Sequence, residues 1–343
     1  MGTPLKIAID VMGGEHGPEA TVPAAIQAIK THPAISLFLV GDQALINAQL
    51  TKHDARELAG RFSTVHSDCV IQDDELPTRV LREKNASSMF KCVELVQQGE
   101  ASACVSAGNT GALLLSGRHL LKTIEGIDKP AMVATLPGST GHQYLLDVGA
   151  NLDCKGEQLF QFAVMGAVLA ESLDGLSAPR VALLNIGSED YKGGAQVRLA
   201  AGLLESCDAV NYVGYVEGGT LFEDQAEVVV CDGFVGNVMI KTSAGVVRVV
   251  NTILEEHTQK SWRSRVETLV SSSLIKRLHD RVNPSQFNGA SLIGLQGSII
   301  KSHGNATLEG FRFAIERAIN EASHNVPQQI TAKVAEIMRS TDT

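Results

Sequence analysis

Paired cysteines, a basic surplus and long apolar runs are all missing from this 343-residue chain. The six cysteines (Cys69, Cys92, Cys104, Cys154, Cys207 and Cys231) stand singly, mostly among apolar or small neighbours, with no C-x-x-C pair. That pattern speaks for reduced core thiols and against a disulfide scaffold or a zinc ribbon. Lys and Arg number 29 against 38 Asp and Glu, a net charge of -9. No nucleic-acid partner is expected, because phosphate backbones require a basic face. No uninterrupted apolar run approaches the ~20 residues of a membrane span. The start "MGTPLKIAID" enters a strand at once, without the apolar stretch of a signal peptide, so a cytoplasmic protein is expected. Familiar catalytic signatures are missing too: there is no G-x-S-x-G elbow, no H-E-x-x-H and no complete G-x-G-x-x-G after a strand. The ten histidines are dispersed without metal-ligand spacing, and neither a metal nor a cofactor is expected.

What the chain does have is glycine, 32 of them, and a regular alternation of short apolar runs with amphipathic ones. Strands are predicted at Lys6–Val11, Ile35–Gly41, "ACVSAG", Ala131–Leu136, Tyr144–Gly149, Arg180–Gly187, Ala209–Val216 and Ala226–Gly233. Helices are predicted at Pro18–Lys30, Asp42–Leu50, Ser87–Glu100, Thr110–Leu120, Gly156–Leu173, Gln196–Glu205 and Asn237–Glu256. Strands that are apolar throughout and alternate with helices imply a mostly parallel sheet covered on both faces. The last third reads as more helical, at Thr258–Val282, Leu308–Glu321 and Gln328–Arg339. With no low-complexity linker and no short-period repeat, residues 1–343 read as one α/β/α unit with room for two lobes.

Ligands of open parallel sheets bind beyond the carboxyl ends of strands, so the turns at those ends carry the functional reading. They are "DVMGGEHGPE", "SAGNTGA", "DVGANLDCKGE", "NIGSEDYKG", "CDGFVGNVMIK" and "GLQGSIIKSHGNA". Nearly all combine Gly, Asn or Asp, and their lysines include Lys155, Lys192 and Lys301. Glycine lets backbone amides approach a ligand, helix N-termini favour anions, and lysine adds a point charge. Together these suit a phosphate-like oxyanion, although any one Gly-Asn turn is more often only a turn. "DDE" (Asp73–Glu75) reads as a solvated loop.

The blocks "IAIDVMGGEHGPE", "SAGNTGALL", "LLDVGANLDCK", "LLNIGSEDYKG", "CDGFVGNVMIK" and "NGASLIGLQGSIIKSHGNA" run in order from Ile7 to about Ala322. They resemble the signature blocks of the PlsX family of phosphate acyltransferases. The resemblance implies a three-layer α/β/α fold related to phosphotransacetylases and to isocitrate and isopropylmalate dehydrogenases. It implies transfer of a fatty acyl group from acyl carrier protein to inorganic phosphate, giving acyl phosphate for phospholipid synthesis. A homodimer, loose membrane association and a glycerol-3-phosphate acyltransferase as partner are implied as well.

Such a reaction needs phosphate held beside a thioester carbonyl, and phosphate is itself the nucleophile, so no enzyme cysteine is required. Lys192 and Lys301 are expected to neutralise phosphate or the developing oxyanion. Asn109, Asn151 and Asn237 are expected to donate hydrogen bonds, with Gly13, Gly14, Gly108 and Gly111 opening the backbone and Lys155 adding charge. His303 either donates a hydrogen bond or proton, or only shapes its loop. Asp10, Asp147 and Asp232 either orient lysines and loops or cap the next turn. The competing readings are a phosphotransacetylase-like enzyme using acyl-CoA, a metal-dependent 2-hydroxyacid dehydrogenase on the related fold, and a non-catalytic membrane scaffold.

The segment His257–Val282 differs from the rest, with six Lys and Arg against Glu267 and Asp280. Trp262 aligns with Val266, Leu269, Val270, Leu274, Leu278 and Val282 at spacings of three and four, the pattern of an amphipathic helix or helical hairpin. It either packs against the body or a second copy, or meets anionic lipid or the acidic carrier protein.

Overall fold

A computed structural model describes residues 5–259 and 284–341. The basic amphipathic segment, with Trp262, Leu269, Leu274 and Leu278, lies outside the described residues.

Eleven strands form one sheet: β1 (Leu5–Asp10), β2 (Ile35–Gly41), β3 (Phe62–His66), β4 (Ala103–Ser106), β5 (Ala131–Pro137), β6 (His142–Leu146), β7 (Arg180–Asn185), β8 (Asn211–Glu217), β9 (Val228–Val230), β10 (Ala290–Ile293) and β11 (Ser298–Lys301). Their order across the sheet is β3-β2-β1-β4-β11-β10-β5-β6-β9-β7-β8. Seven of the ladders are parallel. The three antiparallel ladders, β11 with β10, β10 with β5 and β5 with β6, lie together in the middle. The expected mostly parallel sheet is therefore present, but its direction reverses at the centre. Strands β1 to β5 and β11 run one way, and β6 to β10 the other.

Both faces are covered, because strands such as β1 carry apolar side chains at successive positions. Ile7, Ala8 and Ile9 of β1 are all fully buried, and a face left open would expose half of them. One face packs on the helices Ser88–Gln97 and Thr110–Leu120 and on Met239 and Ile240 of the long helix Gly233–Gln259. The opposite face packs on Pro18–Thr31 and Leu308–Ser323 at one end, and on Gly156–Asp174 at the other. Helix starts follow local side-chain chemistry. Asp42, Ser87, Asn109 and Thr307 each accept a first-turn amide and so satisfy a donor that has no partner within its helix.

The alternation read from the sequence matches most of these elements. It passes over β3, β10 and β11. Each is only four or five residues long, and "ASLIGLQGSIIK" forms a tight hairpin where the sequence suggests a strand-end loop. The lack of a long uninterrupted apolar run does not make every helix polar. Residues Gly233–Val250 form a helical stretch long and apolar enough on average to cross a membrane, despite Lys241 and Arg248. Little of it is buried: Phe234, Val238, Val246 and Val249 all face solvent.

Candidate active site

The central reversal divides the polar strand-end turns into two groups on opposite edges of the sheet. The turns after β1, β4 and β11 share one edge; those after β6, β7 and β9 share the other. A cavity of about 1070 Å³ crosses the face between them, under the helix Gly233–Gln259. Thr110, Gly111, Lys301 and His303 line it from the first edge, and Gly149 and Asn237 from the second.

At the first edge Asp10, Ser106 and Lys301 end three adjacent strands. Ser106 pairs in register with Lys301, and Ile9 with Val105. The Ser106 hydroxyl donates to Asp10 Oδ2 at 2.6 Å and accepts from the Gly108 amide at 3.1 Å. Glycine is required here, since a Cβ at Gly13 would lie 2.7 Å from both Asp10 Oδ2 and the Gly108 nitrogen. Asp10 is almost wholly buried, with Ser88 and the Met12 and Gly13 amides beside it as well as Ser106. Burial pushes its carboxyl above the usual range, against the pull of its Ser106 bond.

The Lys301 ammonium donates to the carbonyls of Ala107 (3.2 Å) and Ser302. Burial lowers its pKa to about 8, and the carboxylates of Asp73 and Asp10 limit the fall. It is 8% exposed, so it is a largely desolvated cation opening on a cavity. The first turn of the helix Thr110–Leu120 faces that same cavity, adding backbone amides and the positive end of a helix dipole. His303 follows on the Ser302–Gly304 turn. His303 keeps an exposed edge, yet desolvation of the ring against the cavity and the nearby Lys301 charge both lower its pKa, toward a neutral imidazole. Asn288 fixes this turn: its amide donates to Ser302 Oγ at 2.8 Å and its oxygen accepts from the His303 amide at 2.9 Å.

At the second edge Asp147 organises its own loop. Oδ1 accepts from the amides of Met132, Gly149 and Ala150, and Oδ2 from the amide and side chain of Asn151. Asp232 accepts from the Val235 amide at 2.8 Å at the start of the long helix. Of the two readings open for these aspartates, loop and helix capping is the one the geometry displays.

Two other expectations change. Asn109 and Asn151 were expected to donate to phosphate, but their amide groups are engaged within the protein. Asn109 donates to the carbonyls of Asp73 and Glu75, and Asn151 to Pro130 and Asp147. The pocket shared by Lys192 and Lys301 does not form within one chain. Lys192 follows β7 and Lys301 ends β11, five strand positions away and on the opposite edge, roughly 24 Å across the sheet alone. Lys192 instead pairs with Glu189 at 2.6 Å, and Lys155 is exposed away from the cavity lining. Gly14 stays with the first group, against Gly304 and Ala107.

Sequence reasoning passed over Ser106, Asn288 and Asp73. Ser106 opens the very turn "SAGNTGA", and its placement after an apolar strand was the available signal. Asp73, read as a solvated loop, lies close enough to act on Lys301. Four of the thiols are poor nucleophiles: burial pushes Cys92, Cys104 and Cys231 far up and Cys154 to about 11. The arrangement can hold an anion beside an apolar volume and stabilise charge developing there.

Residues 5–329 match the family model described as "Fatty acid synthesis protein". A phosphate acyltransferase of Pseudomonas syringae pv. syringae (strain B728a) is 48% identical over 334 residues, 97% of each chain. One from Legionella pneumophila (strain Paris) is 47% identical over 322 residues, 94% of each. Among solved structures, a phosphotransacetylase from Streptococcus pyogenes has a similar fold, with TM-score 0.61 and 17% identity over 94% of this chain and 95% of that one. The EutD phosphotransacetylase from Staphylococcus aureus gives TM-score 0.60 and 14% identity over 96% and 95%.

Proposed function

The chain belongs to the fatty acid synthesis protein family, and from that membership we propose how its cavity performs acyl transfer from acyl carrier protein to phosphate. The enzyme is a phosphate acyltransferase. The observation that supports the proposed chemistry is a single cavity with a desolvated ammonium and a helix N-terminus at one end and an apolar wall beyond. Phosphate rests against Lys301 and the first-turn amides of Thr110 and Gly111. One of its oxygens attacks the thioester carbonyl carbon, forming a C–O bond and placing negative charge on the carbonyl oxygen. The C–S bond then breaks and the thiolate leaves. A thiolate needs little acid assistance, since thiols ionise near pH ~8.5. Holding both reactants in place contributes up to ~7–11 kcal/mol under ideal geometry. His303, neutral and beside Lys301, donates a hydrogen bond to the same charge.

The product, an acyl phosphate, feeds phospholipid synthesis, consumed by a glycerol-3-phosphate acyltransferase. The enzyme works as a cytoplasmic homodimer that touches the membrane peripherally. The exposed apolar face of the helix Gly233–Gln259 supports association with a second copy or a lipid surface. The phosphotransacetylase fold keeps one second reading in play, transfer from acyl-CoA.

The test is purified protein with phosphate and either palmitoyl-acyl carrier protein or palmitoyl-CoA, with acyl phosphate read by mass spectrometry. Product from the carrier-protein donor is expected. Product from the CoA donor alone overturns the donor assignment, and none from either overturns the reaction.

A further inference from the structure

A fatty acyl thioester held at Lys301 carries a long hydrocarbon tail, and each methylene left in water forfeits a factor of about four in binding. The cavity supplies a path for it. From the polar end at Lys301 the lining continues over Leu114, Leu136, Met132 and Val148, with Ile240 of the long helix as its roof. Leu136, Met132 and Val148 are all nearly buried. The path ends at a second polar boundary, where Gly149 and Asn237 line the cavity. On its other side the cavity opens to solvent past Ser139, Lys241 and Arg248, all exposed.

We propose that the acyl chain lies diagonally across the sheet face from Lys301 to Val148, and that Val148 and the polar boundary behind it set the preferred chain length. This rests on the acyltransferase reading above. The distance follows from sheet geometry. Lys301 on β11 and Val148 beyond β6 are three strand positions apart, roughly 14 Å. Lys301 pairs with Ala290, which is next to the Ser291–Val133 pair, and the Val148 amide donates to the Met132 carbonyl. The offset along the strands is about two residues, roughly 7 Å. The diagonal is about 16 Å, comparable to one leaflet of hydrocarbon at about 15 Å. Gly149 and Asn237, only partly exposed, bound the inner end, and the outer rim carries Lys241 and Arg248, both exposed. The chain therefore points inward, and an acidic carrier sits at the basic rim.

Asn237 and Gly149 make the inner end a ruler. A longer tail would have to press methylenes against a polar amide or leave the slot, and either forfeits the gain from further burial. Shorter tails lose about fourfold for each missing methylene.

The experiment compares kcat/KM for donors of 8 to 18 carbons in wild type, Val148→Phe and Val148→Ala. A phenyl ring at the inner end displaces about three methylenes, so the ratio of 16-carbon to 8-carbon kcat/KM falls roughly sixtyfold in Val148→Phe. Val148→Ala, which cannot overpack the core, moves the optimum to longer chains. In parallel, n-alkyl phosphonates of 8 to 18 carbons are titrated calorimetrically. Affinity climbs with length and then levels off, earlier in Val148→Phe and later in Val148→Ala. Unchanged length profiles in both folded variants overturn the slot. If no donor yields acyl phosphate while the phosphonate profile still shifts with Val148, the reaction assignment fails and the slot stands.

Discussion

Lys301→Met separates what the buried ammonium does for binding from what it costs the fold. The substitution keeps a similar side-chain length and removes the charge. The native ammonium titrates at about 8 against an ordinary 10.5, with burial as the main cause. A depression of that size corresponds to about 3 kcal/mol of penalty on the charged form. Its pH dependence has a definite sign. Between pH 8 and 10.5 the unfolded chain holds a proton that the native protein has released, so wild-type stability rises with pH across that window. Below pH 8 both states are protonated and the full penalty is present. Thermal unfolding of wild type and Lys301→Met from pH 7 to 10.5 reads this directly, with the variant as control for every other titrating group. Relative to the variant, wild type gains about 3 kcal/mol over the window. That is about 4 °C for a chain of this size at ~2.1 cal/mol/K per residue. The absolute stability of the variant also carries the loss of two carbonyl partners, at Ala107 and Ser302, so the pH-dependent difference is the diagnostic quantity. At the same time kcat/KM for phosphate falls about 10²–10³-fold, the usual loss when one charge-stabilising group is removed. Parallel pH–stability curves would refute the desolvated ammonium, and unimpaired turnover would refute its role on the anion.

Three further outcomes are expected. Asp147→Ala strands the donors that hold the Asp147–Asn151 loop and lowers stability by about 2–5 kcal/mol, read by urea unfolding; a neutral result would mean the loop is held by its other contacts. Lys192→Ala removes only an exposed, solvent-screened ion pair with Glu189 and leaves the thermal midpoint essentially unchanged; a large loss of turnover instead would show that Lys192 reaches the site of another copy. Leu269→Glu with Leu274→Glu abolishes co-sedimentation with anionic liposomes if the basic segment is the lipid contact; a shift to monomer in sedimentation velocity, with lipid binding retained, assigns the segment to dimerisation.

Much of the fold is legible in the residues because it depends on near neighbours. The helix Thr110–Leu120 begins where "SAGNTGA" predicts, since Asn109 caps Ala112 three residues on. The strands "KIAID" and "ISLFLVG" are apolar at successive positions, which only a doubly covered sheet satisfies. The candidate residues at the first edge were legible for the same reason, as Gly13, Gly108 and Lys301 stand at the ends of recognisable strands or in the turns that follow. Ser106 escaped notice because a serine closing a strand has no pattern of its own until Asp10 stands beside it.

What the amino-acid order determined, then, is the set of strands, helices, caps and polar turns, along with the family resemblance those turns carry. Only the tertiary structure decided which turns share an edge. Ala103 and Ser298 become neighbours although 195 positions separate them in the chain. The hairpins β5–β6 and β10–β11 then reverse the sheet between Lys301 and Lys192. Strand direction is fixed by long-range pairing and by the area each face can bury, quantities that no window of a few residues contains. The same pairing buries Lys301, keeps Lys192 at the surface, and opens the cavity between two edges that the linear order made to look like one.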